Sequence, residues 1–129
     1  MLWEKLGLII RPQKRLWWMQ THAFVPTVYS LGGSEYRVYF SGRDNKNISH
    51  IGYAEIDLSD PLKMPQYSEN PVLTVGELGC FDDNGVTPSC VIDCGEKTLL
   101  YYIGWNKRSR VRMGLVAGLA TSNDRGKTF

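Results

Sequence analysis

The chain has 129 residues, 43% hydrophobic and 22% charged. That balance fits one modest globular domain and excludes an extended disordered segment. A formal net charge of +2 is too small to argue for a nucleic-acid partner, and no run of about 18 apolar residues marks a membrane-spanning helix.

Taken in chain order, the first segment is MLWEKLGLIIRPQKRLWWMQ. It places Glu4 and Lys5 among its apolar residues and lacks the basic-then-apolar order of a secretory leader, so the expected location is cytoplasmic. A short strand is predicted after Pro26, through Val28 and Tyr29, then a turn at Leu31 to Ser34. A second strand covers Tyr36 to Ser41. The polar loop SGRDNKNIS follows, and a third strand covers Ile48 to Ile56. The linker SDPLKMPQYSENPVLTVGELG is expected to hold a fourth strand near Pro71 to Val75.

The same layout then recurs. A strand follows Pro88 through Cys90, Val91 and Ile92, with a turn at Asp93 to Glu96. A strand covers Thr98 to Ile103, a polar loop spans GWNKRSRVRM, and a third strand covers Leu115 to Thr121. No segment carries helical periodicity with caps. Without a gap, Pro26 falls on Pro88, Gly33 on Gly95, Tyr39 on Tyr101 and Gly42 on Gly104, an offset of 62 residues. IGYA at 51–54 falls on AGLA at 117–120 after a four-residue insertion. Two antiparallel meanders in tandem predict an all-β protein of the β-propeller type. Blade one would cover about 20–75 and blade two about 81–129, together a partial propeller domain over 1–129. The chain ends where the last strand of blade two is expected. Open blade edges predict self-association.

The last residues, SNDRGKTF, fit the pattern S-x-D-x-G-x-T-F and resemble the Asp-box of sialidases and related propellers. The resemblance implies that Asp124 accepts backbone hydrogen bonds across a turn, that Gly126 takes a conformation other residues resist, and that Phe129 fills the blade core. Asp124 is then structural.

Thr21-His22-Ala23, Val25-Pro26-Thr27, the run Arg37 to Asp44, Ile51 to Ala54, Gly76 to Gly79, Phe81 to Val86 and Tyr101 to Asn106 carry a further likeness. With the closing turn, they resemble the first two blades of the five-bladed propeller glycosidases, the broad group around glycoside hydrolase families 43 and 32. The resemblance implies a central funnel with a base or nucleophile from blade one, an orienting Asp from blade two and an acid Glu from blade three. Cleaving a glycosidic bond needs a protonated carboxyl and an ionised one about the anomeric carbon. The sequence departs from that group where Val25-Pro26 and Thr87-Pro88 stand in place of Asp-Pro. Its expected function is therefore a glycoside hydrolase-like protein acting on or binding a glycan, with a non-catalytic sugar-binding propeller or a structural fragment as alternatives.

The candidate catalytic residues are Asp82 and Asp83, in the loop before the first strand of blade two. They act as acid, base or orienting group, or else they are turn residues beside Asn84-Gly85. Being adjacent, they are expected to point in opposite directions. The candidate substrate-binding residues are His22, Arg43, Asp44, Trp105 and Asn106. His22 is expected to share a pocket with the two acids, whereas His50 is expected at the surface. Arg43 and Asp44 form either an ion pair at the site edge or an ordinary exposed pair. Trp105 either stacks on a sugar or packs between blades. Lys107 to Arg112 carries four cations, read as a solvated loop or, more sharply, as a contact for an anionic sugar. Cys80, Cys90 and Cys94 show no CxxC pair and no His at ligand spacing, which predicts reduced structural thiols, no metal and no cofactor.

Overall fold

A computed structural model describes residues 2–129. Seven strands follow one another: β1 (Phe24–Gly32), β2 (Glu35–Arg43), β3 (Ser49–Asp57), β4 (Gln66–Tyr67), β5 (Val86–Asp93), β6 (Thr98–Lys107) and β7 (Met113–Ser122). They form two antiparallel sheets in sequence order, β1-β2-β3-β4 and β5-β6-β7. No helix is assigned among the described residues.

The ladder registers reproduce the internal repeat. Tyr39 on β2 faces Tyr53 on β3, and Phe40 faces Gly52. Their counterparts Tyr101 and Tyr102 face Leu119 and Gly118. Both first strands carry an irregularity near the shared proline, between Phe24 and Thr27 in β1 and between Pro88 and Cys90 in β5. Such bulges re-aim the chain at a sheet rim.

The fourth strand lies outside the expected stretch Pro71 to Val75, which holds only an isolated bridge at Leu73. Gln66–Tyr67 pairs with Glu55 and Ala54. The chain then leaves the ladder and returns at Val72-Leu73, where the amides of both residues donate to Ile51 O and the Ile51 amide donates to Leu73 O. Pro71 has no N–H to offer a ladder, so pairing resumes only beyond it.

Period-two alternation decides the packing. Tyr29, Tyr39 and Ile51 turn one face of the first sheet onto Val86, Leu100 and Tyr102 of the second, with Val72 closing the same cluster. Phe129 packs on it, its ring 5.8 Å from that of Tyr39. Polar side chains also cross between the sheets. Ser41 Oγ donates to Val86 O at 2.9 Å, and Tyr39 Oη donates to Gly126 O at 2.7 Å. Arg37, buried against Glu55 at 2.6 Å, donates a further hydrogen bond to Arg125 O.

On the opposite face of the first sheet, Phe40 and Ala54 are covered by Leu16, Trp18 and Met19. This plug requires two glycines. A Cβ on Gly52 would strike the Trp18 ring, and one on Gly42 would strike Trp18 O and Met19.

In the closing turn after β7, the Asp124 carboxylate holds the backbone that follows it. Asp124 Oδ1 accepts from the amides of Lys127 at 2.9 Å and Thr128 at 3.0 Å, and Oδ2 accepts from Thr128 Oγ1 at 2.6 Å. Gly126 has a φ of 76°, a left-handed conformation that suits glycine.

Candidate functional site

Antiparallel pairing puts the starts of β1, β3, β5 and β7 and the ends of β2 and β6 at one rim. Every site residue predicted from sequence lies on that rim or in the turns leading to it. The structure does not gather them into one pocket; it distributes them over three local networks.

The first network lies at the entry to β1. His22 is exposed, bonded to Thr21 Oγ1 through Nδ1 at 2.7 Å, with its ring 5.7 Å from Phe24. Arg43, at the end of β2, lies over the same Phe24 ring at 5.3 Å and donates from Nη1 to Asn47 Oδ1 at 2.9 Å. Its Nε is buried and has no hydrogen-bond partner among the described residues. The expected Arg43–Asp44 pair does not form. Consecutive residues at a strand end point apart, and each finds a different partner.

The second network surrounds Asp44. Its Oδ1 accepts from the amides of Lys46 and Ile48, both at 2.9 Å, which makes the β2–β3 connection a side-chain-stapled turn. Its Oδ2 lies 3.3 Å from His50 Nε2, and His50 Nδ1 lies 2.8 Å from Thr74 Oγ1. Burial works to raise the Asp44 pKa, but the hydrogen bonds from Ile48, His50 and Lys46 outweigh it and hold the carboxyl below its ordinary value. His50 is buried, not at the surface as its place at a strand start suggested. The reason is tertiary: Thr74 and Trp17 close over it, the Trp17 ring lying edge-on at 5.0 Å.

The third network holds the acids before β5. Asp82 is buried and accepts from Tyr102 Oη at 2.9 Å. It fits against Gly76, where any Cβ would strike its carboxylate. Burial, and then the bond to Asp82, push the Tyr102 phenol up to about 12. Asp83 is half-buried, its Oδ2 accepting from the Gly79 amide at 2.8 Å and its Oδ1 from Asn106 Nδ2 at 2.8 Å. Asn106 Nδ2 also donates to Cys80 O at 3.0 Å. The two acids thus point to different partners, as their adjacency implies, and their contacts do not reach His22.

Trp105 stands between the networks. Its Nε1 donates to Thr87 Oγ1 at 2.8 Å, and its Cβ borders Gly85, which bridges to Ser49 of the first sheet. It is half-buried, so its ring both packs at the junction of the sheets and keeps part of its surface free. Residues 107–112 are exposed. The three cysteines are exposed and unpaired, and no group of three or more potential metal-ligating side chains occurs among the described residues.

The sequence reading missed Tyr102, Thr87, His50 and Trp17 as members of these networks. Thr87 and Tyr102 had a usable signal, since each lies in a repeated strand directly beside a residue that was singled out. Trp17 had none, because it sits in an apolar block whose orientation depends on the plug.

The chain has the fold of part of a glycosyl hydrolase. It resembles the crystal structure of one from Bacteroides ovatus with a TM-score of 0.63 and 17% identity, over 89% of this chain and 36% of that one. Uncharacterised proteins of two Mycobacterium tuberculosis strains are each 39% identical over 122 residues, covering 95% of this chain and 41% of their own length. A β-1,2-mannobiose phosphorylase from Thermoanaerobacter is 36% identical over 66 residues, half of this chain and 21% of that protein. No family model matches. The chain thus spans about two-fifths of the length of the mycobacterial relatives it matches.

Proposed function

We propose that the chain forms two blades of a β-propeller protein that acts on a glycoside, with its site along the rim described above. The observation that supports this best is the common placement of His22, Arg43, Asp44, Asp82, Asp83, Trp105 and Asn106 at one end of both sheets, in a fold shared with a glycosyl hydrolase. Blade one runs over about 20–75 and blade two over about 81–129. The turn at Ser122 to Phe129 acts as an Asp-box that locks blade two.

Of the two acids, Asp83 is the proton-transfer candidate. Asp82 is buried and engaged by Tyr102, whereas Asp83 is partly open and its direction is fixed by Gly79 and Asn106. His22, Arg43, Asn106 and the free part of the Trp105 ring position the sugar at this locus. Hydrolysis requires a second carboxylate to activate water. Three unpaired cysteines fit a cytoplasmic location.

Phosphorolysis is the second reading, favoured by the similarity to a mannobiose phosphorylase over half the chain. There phosphate takes the place of activated water, and the Arg43 guanidinium at the end of β2 supplies a cation for it.

The test is an assay of this chain beside a full-length mycobacterial relative, on β-1,2-mannobiose and chromogenic glycosides, with and without inorganic phosphate. Free sugar independent of phosphate supports hydrolysis, and sugar 1-phosphate supports phosphorolysis. Asp83→Asn is expected to lower turnover by about 10²–10⁴-fold while binding persists. Saturable binding with every linkage left intact reduces the function to sugar binding. Absence of binding in both proteins overturns the reading.

A further inference from the structure

Four consecutive large apolar residues, Leu16-Trp17-Trp18-Met19, precede β1. Three are fully buried in the plug over the first sheet, but Trp17 is 49% exposed. It is nonetheless fixed. Its indole Nε1 donates to Asn70 Oδ1 at 3.3 Å, and its ring meets His50 edge-on at 5.0 Å. A large side chain that is exposed yet held from two directions presents a rigid flat surface at little entropic cost.

That surface forms one wall of an open cleft of about 430 Å³, whose other walls are Gln20, Asp44, Asn45 and Lys46. The volume is within the range of small-molecule sites. The polar lining is preorganised in part and free in part. Asp44 is held by two backbone amides and His50, which leaves its Oδ2 able to accept one more bond. Gln20 spends its Nε2 on Lys14 O and Leu16 O, so its Oε1 remains an acceptor. The side chains of Asn45 and Lys46 are exposed and supply donors. An aromatic face beside a mixed set of acceptors and donors, with one negative and one positive group, matches the two faces of a pyranose ring. Its C–H side stacks and its hydroxyls bond. The near-cancelling charges favour a neutral ring over an anion.

We infer that the cleft between Trp17 and the 44–48 turn is a binding subsite for a neutral pyranoside, separate from the locus of Asp83 and Trp105. The inference rests on the glycoside reading only for the choice of probe. Trp17 is the stacking platform, Asp44 and Gln20 are the acceptors, and Lys46 is the donor. His50 is a positioning residue that acts through Asp44.

The experiment is a titration of the ¹⁵N-labelled chain with methyl α-mannopyranoside, methyl β-glucopyranoside and β-1,2-mannobiose, to about 20 mM, well above a Kd of about 1 mM. The indole N–H signals of Trp17 and Trp105 are assigned by their loss in Trp17→Phe and Trp105→Phe. A saturable shift of the Trp17 signal with at least one probe supports the subsite, whether or not Trp105 responds. A shift of Trp105 alone overturns the subsite and leaves the glycoside reading standing. No shift of either signal overturns the subsite as well. Where binding is seen, Trp17→Ala is expected to weaken it by about tenfold or more. Lys46→Ala, whose side chain makes no structural bond among the described residues, is expected to weaken it about threefold without altering the fold. Unchanged affinity in Lys46→Ala and Trp17→Ala together overturns the assignment.

Discussion

The two sheets are built on the same pattern but meet different surroundings. Tyr39 and Tyr101 occupy matching places on β2 and β6, each paired across to a third strand at the matching register. Tyr39 is completely buried between the sheets, whereas Tyr101 is 41% exposed. The rest of the two faces behaves alike. Tyr29, Tyr39 and Ile51 pack against the second sheet, while Ile92, Tyr101, Leu115 and Leu119 on the second sheet are open. A repeated sequence therefore specifies a repeated element, but a residue's energetic weight comes from what the next layer places on it.

The sharpest way to break this comparison is to truncate both tyrosines. Tyr39→Ala removes a fully buried ring and its hydrogen bond to Gly126 O. It is expected to cost about 3–5 kcal/mol. Tyr101→Ala is expected to cost less than about 1 kcal/mol, as surface substitutions do. Urea midpoints of the two variants would measure the gap. Equal losses would mean that the open face of the second sheet is covered in solution, which the predicted self-association would provide.

The same contrast explains what could be read from the chain alone. The six long strands were legible because each carries its own alternation, and because Gly42, Gly104, Tyr39 and Tyr101 recur at one offset. The two-residue β4 was not, since so short a pairing leaves no pattern and is placed only by Ala54 and Glu55 beside it. The rim residues were legible as a group, because strand direction alone sends them to one end. Their division into networks was not. The partners of His50 lie at Asp44 and Thr74, and that of Asp82 lies at Tyr102, so each contact depends on chain closure rather than on local spacing. The plug of Leu16, Trp18 and Met19 left one faint trace, the small residues Gly42 and Gly52 in strands otherwise rich in large ones.

A second comparison is between the turns that follow β3 and β7. Each starts with a carboxylate held below its ordinary value. Hydrogen bonds from Ser34 and then Ser59 hold Asp57 at about 2, against a model-peptide value of 3.8. Asp124 is lowered further, first by the Ser122 hydroxyl and then by that of Thr128, with backbone amides of Thr128 and Lys127 adding to it. A carboxyl depressed in the folded state contributes stability that is fully present above the unfolded value and is lost as pH falls through the folded one. The melting temperature is therefore expected to stay flat from about pH 7 to 5 and to fall below about pH 4. Asp124→Asn should cost about 1 kcal/mol at neutral pH and remove more of the acid-dependent drop than Asp57→Asn, because Asp124 gathers more donors. An identical acid profile in Asp124→Asn and the unaltered chain would sink this account.

The smallest effect compares the two bulges. In β1 the irregularity includes Val25 at a φ of 52°, directly before Pro26. In β5 the corresponding stretch around Pro88 contains no residue of positive φ. A left-handed conformation costs a non-glycine residue about 1–2 kcal/mol, and a β-branched side chain is the poorest fit for it. Val25 is exposed, so its truncation forfeits little packing. Glycine adds about 0.5–1 kcal/mol of backbone entropy to the unfolded state. The strain relieved exceeds the entropy introduced, so Val25→Gly is expected to stabilise the chain by about 0.5 kcal/mol. At the position matched to it by the repeat, Thr87→Gly should destabilise it, since it frees the unfolded chain, relieves no strain and removes the acceptor for Trp105 Nε1. Opposite signs for the two glycine variants in one denaturation series would show that the bulge in the first sheet is held under strain and that in the second is not. Val25 sits between Phe24, on which Arg43 rests, and Pro26, so relief of that strain in a variant that binds sugar less well would tie the distortion to the rim it shapes.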